Sequence, residues 1–534
     1  MIALPDTFNA ASWFIDRNVA EGRGPKVAIE CGAERITYAQ VLEHVNRAGN
    51  MLRDQFAVRI EERIVLLLLD GPEFIYTFFG AVKIGAVPIP TSTLWKPADY
   101  EYVLNDSRAR VVVVSEALLP QLKAIPRERL RYLKHVIVAS SREPDPEGPD
   151  LHQLMEEASP ELDAEPTCKD DPAFWLYSSG STGFPKGCVH LQHDMVVCTE
   201  LYGKGILNMT DADRCFSVAK LFFAYGLGNA MYCPFGVGAT TVLWPGPPAA
   251  ANVYSVIERH RPTLFFSVPT NYGMLLAHTR EAPDFDLSSI RHAVSAGESL
   301  PSALFERFKH RFGVEILDGI GSTEVLHIFI SNRPGAIRPG SSGRIVDGYD
   351  ARIVDDNNRD VSVGEIGNLL VSGDSTCACY WNKHEKTTTT IEGRWIRTGD
   401  KYYQDADGYY WYAGRSDDMM KVGGIWVSPI EVENALIEHA AVQECGVGSR
   451  ADHDGLLKPY AFVVLKNGKA GTPELAAELQ QFVRMRLAEY KRPRWVEFID
   501  ELPKTATGKV QRYKLRERAA MATFDVRSSK VEVT

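Results

Sequence analysis

Between residue 60 and about residue 320, short continuous runs of apolar, often β-branched residues alternate with longer stretches whose apolar positions recur at helical spacing. "RIVLLLLD" (63–70) leads into "GPEFIYTFFGAVKIG" (71–85), which predicts a helix and gives way to "AVPIP". The strand-like series continues with "ARVVVVS" (109–115), "HVIVAS" (135–140), "FWLY" (174–177), "TLFFSVP" (263–269), "HAVSAGE" (292–298) and "VEILDGIG" (314–321). A strand with one wet face alternates apolar and polar positions; continuous apolar strands separated by helices predict parallel sheets covered on both faces, an α/β architecture. Ligands of such sheets lie at the carboxyl ends of the strands. The stretches "YSSGSTGFPKG", "SAGES" and "DGIGSTE" each follow directly on a strand-like run, which predicts one composite site.

From about 335 to 412 the pattern changes to short strands rich in turn residues, a small β-rich subdomain. After "GRSDD" (414–418) a further unit begins, with a predicted helix at 428–439, strands in "QECGVGS" and "KPYAFVVL", and a second helix at 475–490. The expected division is a large N-terminal domain over 1–416, a small α+β domain over 417–525 and a loose tail over 526–534.

Composition narrows the function classes. A net charge of −10 and a pI near 5.8 argue against nucleic acid or an anionic membrane as partner. The strongest apolar run, Ile64 to Leu69, is far too short for a membrane span, and "MIALPDTFNAASWF" has neither the basic nor the apolar region of a secretory signal. Scattered cysteines, with only Cys377 and Cys379 close together, fit reduced thiols in a cytoplasmic protein better than a zinc site.

The chemistry is concentrated in polar islands. In Tyr177 to Gly187 hydroxyls, glycines and Lys186 suit phosphate oxygens. A flexible linker is the competing reading, but the strand running in and Pro185-Lys186 at the exit favour phosphate. The spacing is not that of a P-loop, because Lys186 is followed by Gly187 rather than Ser or Thr. "GSTE" (321–324) sets a carboxylate at a strand end, where a Mg²⁺ ion bridging to phosphates is reasonable. "RTGD" (397–400) offers an aspartate to ribose hydroxyls, "GRSDDMMKVGG" (414–424) combines Arg415, paired acids and Gly-Gly, and "PKTATGKVQR" (503–512) is an exposed lysine-bearing loop. Each of these further islands alone reads more readily as a turn or a solvated face than as a site.

Together and in this order, the five islands resemble those of the acyl-adenylate-forming enzymes: acyl- and aryl-CoA ligases, non-ribosomal peptide synthetase adenylation domains and firefly luciferase. The resemblance covers nearly the whole chain and is nearest to benzoate-CoA ligases. It implies an AMP-forming acid-thiol ligase that uses ATP, Mg²⁺ and coenzyme A to activate an aryl carboxylate in two steps, with a small C-terminal domain acting as a mobile lid. A homodimer is compatible with it. Ser178, Ser179, Gly180, Ser181, Thr182 and Lys186 would take the phosphates, Thr323 the α-phosphate and Glu324 the metal. Gly297, Glu298, Ser299 and the backbone of Asp318, Gly319 and Ile320 would flank adenine, and Asp400 with Arg415 would hold the ribose. Lys509 would bridge the acid and the α-phosphate, Asp417 would be the hinge, and Gly423-Gly424 would line the coenzyme A channel. Where the family often has a tyrosine before the glycine of the magnesium motif, this chain has Ile320.

For the acid, family position points to Phe223, Ala224 and Tyr225 with Ala296, Gly297 and Gly321, closed by His327 and Ile328, a slot for one uncharged ring. On residues alone, Phe222, Phe223 and Tyr225 read as core packing and His327 as a satisfied core histidine. Benzoate is the expected acid. Hydroxybenzoate, cinnamate-like and medium-chain acids remain alternatives, as does a non-catalytic nucleotide-binding protein of the same fold.

Overall fold

A computed structural model describes residues 2–140, 148–178, 185–278, 285–416, 418–422, 425–452, 457–466, 469–487, 489–504, 510–521 and 531–532. The apolar runs form two parallel-rich sheets. The smaller holds Val87–Pro90, Arg63–Leu67, Val111–Ser115 and His135–Ala139, all parallel. The larger has nine strands. Its parallel centre runs Ile316–Gly321, His292–Ser295, Leu264–Ser267, Arg214–Ser217, Thr240–Leu243 and Val27–Cys31, with antiparallel strands at both edges.

The expectation of two covered faces holds residue by residue. In the larger sheet Phe265, Ala293 and Ile316 pack under the helices Ala250–His260, Pro269–His278 and Ser302–Phe312, while Leu264, Phe266, Val294 and Leu317 enter the core on the other face. In the smaller sheet Val65, Val112 and Val114 face one core and Ile64, Val111 and Val113 the other. The helix expected over 71–85 spans Pro72–Lys83, with Pro72 in its first turn, where no backbone donor is missed.

"FWLY" departs from the expected placement. Its strand, Pro172–Ser178, lies in neither parallel sheet but pairs antiparallel with Lys186–Leu191, and Cys379–Tyr380 extends the ladder. An apolar run specifies burial, not the partner strand, so the sequence pattern could not separate this hairpin from the parallel sheets.

The turn-rich stretch forms a five-stranded antiparallel sheet from Asp350–Val354 to Tyr410–Arg415. Beyond it, Val442–Ala451, Leu457–Leu465 and Trp495–Phe498 make a sheet with the helices Pro429–Ile437 and Pro473–Arg484 on one face and Arg512–Met521 on the other. Ser428 and Thr472 cap the first two helices by accepting the Glu431 and Leu475 N–H groups. The helix expected over 475–490 spans Pro473–Arg484; beyond it Met485 is 74 % exposed, while Leu487 packs against the core. Among the described residues, no helix is long and apolar enough to cross a membrane.

Candidate active site

The antiparallel hairpin carries the opening of the site. Ser178 ends one strand and Lys186 begins the other, directly opposite in register. Ser179, Gly180, Ser181 and Thr182, expected to hold phosphate, lie outside the described residues. Ser178 Oγ donates to Glu324 Oε1 at 3.2 Å, and the same oxygen accepts from the Tyr380 hydroxyl at 2.7 Å. Lys186 Nζ sits 4.7 Å above the Tyr380 ring; burial lowers its pKa, while the Glu324 carboxylate pulls the other way. Segments distant in sequence thus meet around one carboxylate.

Glu324 belongs to a single 3₁₀ turn, Thr323–Val325, at the carboxyl end of the strand Ile316–Gly321. Its backbone oxygen accepts the Cys377 N–H at 2.7 Å. Just beyond, Leu326 is fully buried with φ +72°, a left-handed conformation that a leucine holds only when its surroundings impose it. That twist turns the chain so that His327 points back into the core.

Ser295 pairs with Asp318 across neighbouring parallel strands, so Ala296 to Ser299 and Asp318 to Ile320 share one sheet end. Gly297 has φ +87°, Glu298 Oε2 accepts from Thr270 Oγ1 at 2.8 Å, and Ser299 is half-buried. Asp318 is buried, and burial pushes its carboxyl well above the usual carboxylate range. Gly319 and Ile320 pair with Ser331 and Ile330. Asp400 and Arg415 face each other on adjacent antiparallel strands, Arg415 Nη1 donating to Asp400 Oδ1 at 3.1 Å and to the Thr398 carbonyl at 3.2 Å. Gly399, next to Asp400, has φ +78°, which favours glycine, and a Cβ there would come within 2.8 Å of Arg415 Nη2 and displace the end of that side chain.

The segment proposed for the acid forms the short helix Ala224–Leu227 with Phe223 before it. The Phe222 and Phe223 rings lie 4.3 Å apart, and the Tyr225 hydroxyl donates to the Ser267 and Val294 carbonyls at 3.3 and 3.1 Å, fastening the segment to two strand ends. His327 is 2 % exposed and ringed by Tyr202, Tyr225 and Tyr232. Among the described residues neither of its nitrogens has a hydrogen-bond partner. It is therefore buried but not a satisfied core histidine. Burial lowers its pKa to about 3, so the ring is neutral at physiological pH. Gly228 packs on it so closely that a Cβ would lie 2.3 Å from His327 Cδ2. Ala296 and Ile328 are buried nearby, and Gly321 pairs with Ile328.

Asp417, Gly423, Gly424 and Lys509 lie outside the described residues. Among the described residues on either side, Lys504 and Val510 form a backbone bridge and the Gln511 N–H donates to the Pro503 carbonyl at 2.7 Å.

Three neighbours of the site escaped sequence reasoning. Tyr380 comes from "CACYW", a stretch with no motif. His190 reaches the Thr323 carbonyl. Asp70, just past the strand Arg63–Leu67, accepts the Leu221 N–H at 3.1 Å and faces the Lys220 ammonium at 3.8 Å, anchoring the segment that leads into Phe222–Tyr225. Lys220 also donates to the Trp244 and Gly246 carbonyls at 2.6 and 2.9 Å. Burial pushes Asp70 up to about 6 against the pull of Lys220.

Comparison with known proteins agrees with this assembly. The chain matches the AMP-binding enzyme family over residues 16–381 and the AMP-binding enzyme C-terminal domain over 431–509. It is 48 % identical to a benzoate–CoA ligase of Thauera aromatica over 96 % of this chain and 97 % of that one. It is 46 % identical to a 4-hydroxybenzoate–CoA/benzoate–CoA ligase of Rhodopseudomonas palustris, covering 96 % and 94 % of the two chains. Among solved structures, an anthranilate CoA ligase in complex with anthranoyl-AMP superposes with a TM-score of 0.92 at 45 % identity, over 97 % of this chain and 98 % of that one. With its motifs in order, its strand-end turn assembled around Glu324 and its length matched almost end to end, the chain belongs to the AMP-binding enzyme family.

Proposed function

We propose that this chain is an ATP-dependent aryl-acid:CoA ligase whose acid is benzoate. The carboxylate attacks the α-phosphorus of ATP, giving the acyl-adenylate and pyrophosphate, and the coenzyme A thiol then displaces AMP. The observation that carries the reading is the convergence of Ser178, Lys186 and Glu324 at one strand end, in a chain that a benzoate–CoA ligase matches over 96 % of its length.

The first step brings two anions together, so its rate depends on donors and cations set in advance around the phosphates. Ser178 to Thr182 and Lys186 supply these for the outer phosphates, and Thr323 for the innermost. Loss of one such contact costs about 3 kcal/mol, a hundredfold or more in rate. Glu324 suits a hard cation: both of its described side-chain hydrogen bonds fall on Oε1, and Oε2 keeps its lone pairs. Bound there, Mg²⁺ would offset phosphate charge. Asp400 and Arg415 take the ribose, while Gly297 to Ser299 and Asp318 to Ile320 flank the base, with Ile320 offering an aliphatic face. Lys509 is the mobile cation of the first step. Asp417 is the hinge that lets the unit over 417–525 withdraw Lys509 and bring Gly423-Gly424 to the thiol, the unit over 1–416 holding the adenylate meanwhile.

Phe223, Ala224, Tyr225, Ala296, Gly297, Gly321, His327 and Ile328 line the ring slot, and the neutrality of His327 favours an uncharged ring. A second reading, a hydroxybenzoate, is favoured by the two unpartnered His327 nitrogens, one of which a ring hydroxyl would engage. The test is a panel of benzoic, hydroxybenzoic, aminobenzoic, cinnamic and hexanoic acids scored for CoA-dependent AMP release. Benzoate should lead; ADP as product, or no acid dependence, refutes the reading.

A further inference from the structure

Within the hairpin, His190 stands opposite Phe174, and its ring stacks on the Phe174 ring with centroids 5.2 Å apart. Its side chain is completely buried. Unlike His327, this buried imidazole has partners for both nitrogens. Nδ1 lies 2.8 Å from Asp194 Oδ2, and Nε2 lies 2.8 Å from the backbone carbonyl of Thr323. A carbonyl oxygen only accepts, so Nε2 must carry a hydrogen. Asp194, itself completely buried, is held in turn through Oδ2, which also accepts the Leu191 N–H at 3.1 Å; Oδ1 makes no hydrogen bond among the described residues and lies 3.2 Å from His193 Nε2. The carboxylate thereby sets both the ring plane and the direction of the Nε2–H bond.

This line of contacts ends at the residue before Glu324. The turn Thr323–Val325 is tied to the hairpin through the Glu324 side chain, by Ser178, and through the Thr323 main chain, by His190. The first tie competes with anything that Glu324 binds. The second does not, because it uses the Thr323 backbone oxygen, which also accepts the Leu326 N–H at 3.2 Å, and no atom of the Glu324 carboxylate. We propose that His190, oriented by Asp194, is a positioning residue for adenylation: it holds the Thr323–Glu324 turn in register with the strand leaving the phosphate loop, so that the α-phosphate contact and the metal carboxylate are in place before ATP arrives. The inference rests on the adenylation reading above. It assigns His190 no contact with substrate and no proton transfer.

Two isosteres separate this role from simple packing. The amide of His190→Gln extends to the position of Nε2 and keeps a donor for the Thr323 carbonyl; that of His190→Asn reaches only as far as Nδ1 and keeps Asp194 alone satisfied. In benzoate-dependent ATP/pyrophosphate exchange, His190→Asn should lose about 10- to 100-fold in kcat/KM for MgATP, with a matching rise in the Mg²⁺ concentration needed for half-maximal rate. His190→Gln should stay within about threefold of the parent. Thioester formation from supplied benzoyl-adenylate should change by less than about threefold in both, because that half-reaction no longer needs the triphosphate contacts. Asp194→Asn, which frees the ring to turn, should follow His190→Asn, and it carries the test if His190→Asn does not fold. Equal exchange rates in the Gln and Asn variants, or equal losses in both half-reactions, overturn the proposal. Absence of exchange in the parent protein would instead overturn the adenylation reading.

Discussion

Asp70 gives a prediction that can be worked from structure to number. Its carboxyl is 4 % exposed, and burial raises its pKa from 3.8 to about 6 although Lys220 and the Leu221 N–H both favour the ionised form. In the unfolded chain the group releases its proton near the ordinary value. Between the two values the folded protein binds the extra proton, so this contribution to stability is fully present below the unfolded pKa and is lost as pH rises through the folded one. The gap corresponds to about 3 kcal/mol at about 1.4 kcal/mol per pH unit, of which about 2 kcal/mol falls between pH 4.5 and 7.5. Asp70→Asn preserves the shape and removes the titration, while Lys220 keeps the Trp244 and Gly246 carbonyls. Urea unfolding of parent and variant across that window isolates the contribution of the Asp70–Lys220 pair, since groups away from the pair cancel in the difference. The parent should lose about 2 kcal/mol relative to the variant as pH rises. A flat difference would show that Asp70 titrates normally, and a rise would show that its ion pair with Lys220 outweighs desolvation. Either result refutes the reasoning. Because Leu221 leads into Phe222–Tyr225, the variant should also raise the KM for benzoate more than the KM for ATP.

The remaining expectations concern the site itself. Lys509→Ala should abolish acid-dependent ATP/pyrophosphate exchange while sparing thioester formation from supplied acyl-adenylate; equal loss in both steps contradicts its assignment to the first. Tyr380→Phe removes a donor 2.7 Å from the Glu324 side-chain oxygen, a contact worth about 1.5–3 kcal/mol, and should lower kcat/KM for MgATP about 10- to 100-fold with the benzoate KM unchanged, as read from initial rates over both substrates. Gly228→Ala places a methyl 2.3 Å from His327 Cδ2, which has to move; the benzoate KM should rise and urea unfolding should show a loss of about 1–3 kcal/mol, whereas an unaltered KM removes His327 from the ring slot.

The motif islands identified the family from sequence because they are local: each is a few residues whose chemistry depends on neighbours in the chain. The parallel strands and the capped helices were legible for the same reason. What pattern could not reveal is which runs pair. "FWLY" has the same apolar texture as the strands of the parallel sheets, yet it lies in an antiparallel hairpin. Nor could it reveal contacts made only when the chain closes on itself. Tyr380 meets Glu324 across 56 positions, His190 meets Thr323 across 133 and Asp70 meets Leu221 across 151. None of these residues has a flanking signature, since their environments are supplied by strands far away. His327 lay between these cases. Its neighbourhood could be inferred from the motif before it, but its lack of partners required the packed structure.

The left-handed Leu326 has a consequence for selectivity. It joins Glu324 and His327 into one corner, so that the carboxylate proposed for the metal and the far wall of the proposed ring slot are two arms of a single bracket. A ring too long for the slot cannot push one arm without tilting the other. Poorly sized acids should therefore be penalised in turnover as well as in occupancy, a form of mechanical discrimination that needs no separate editing step.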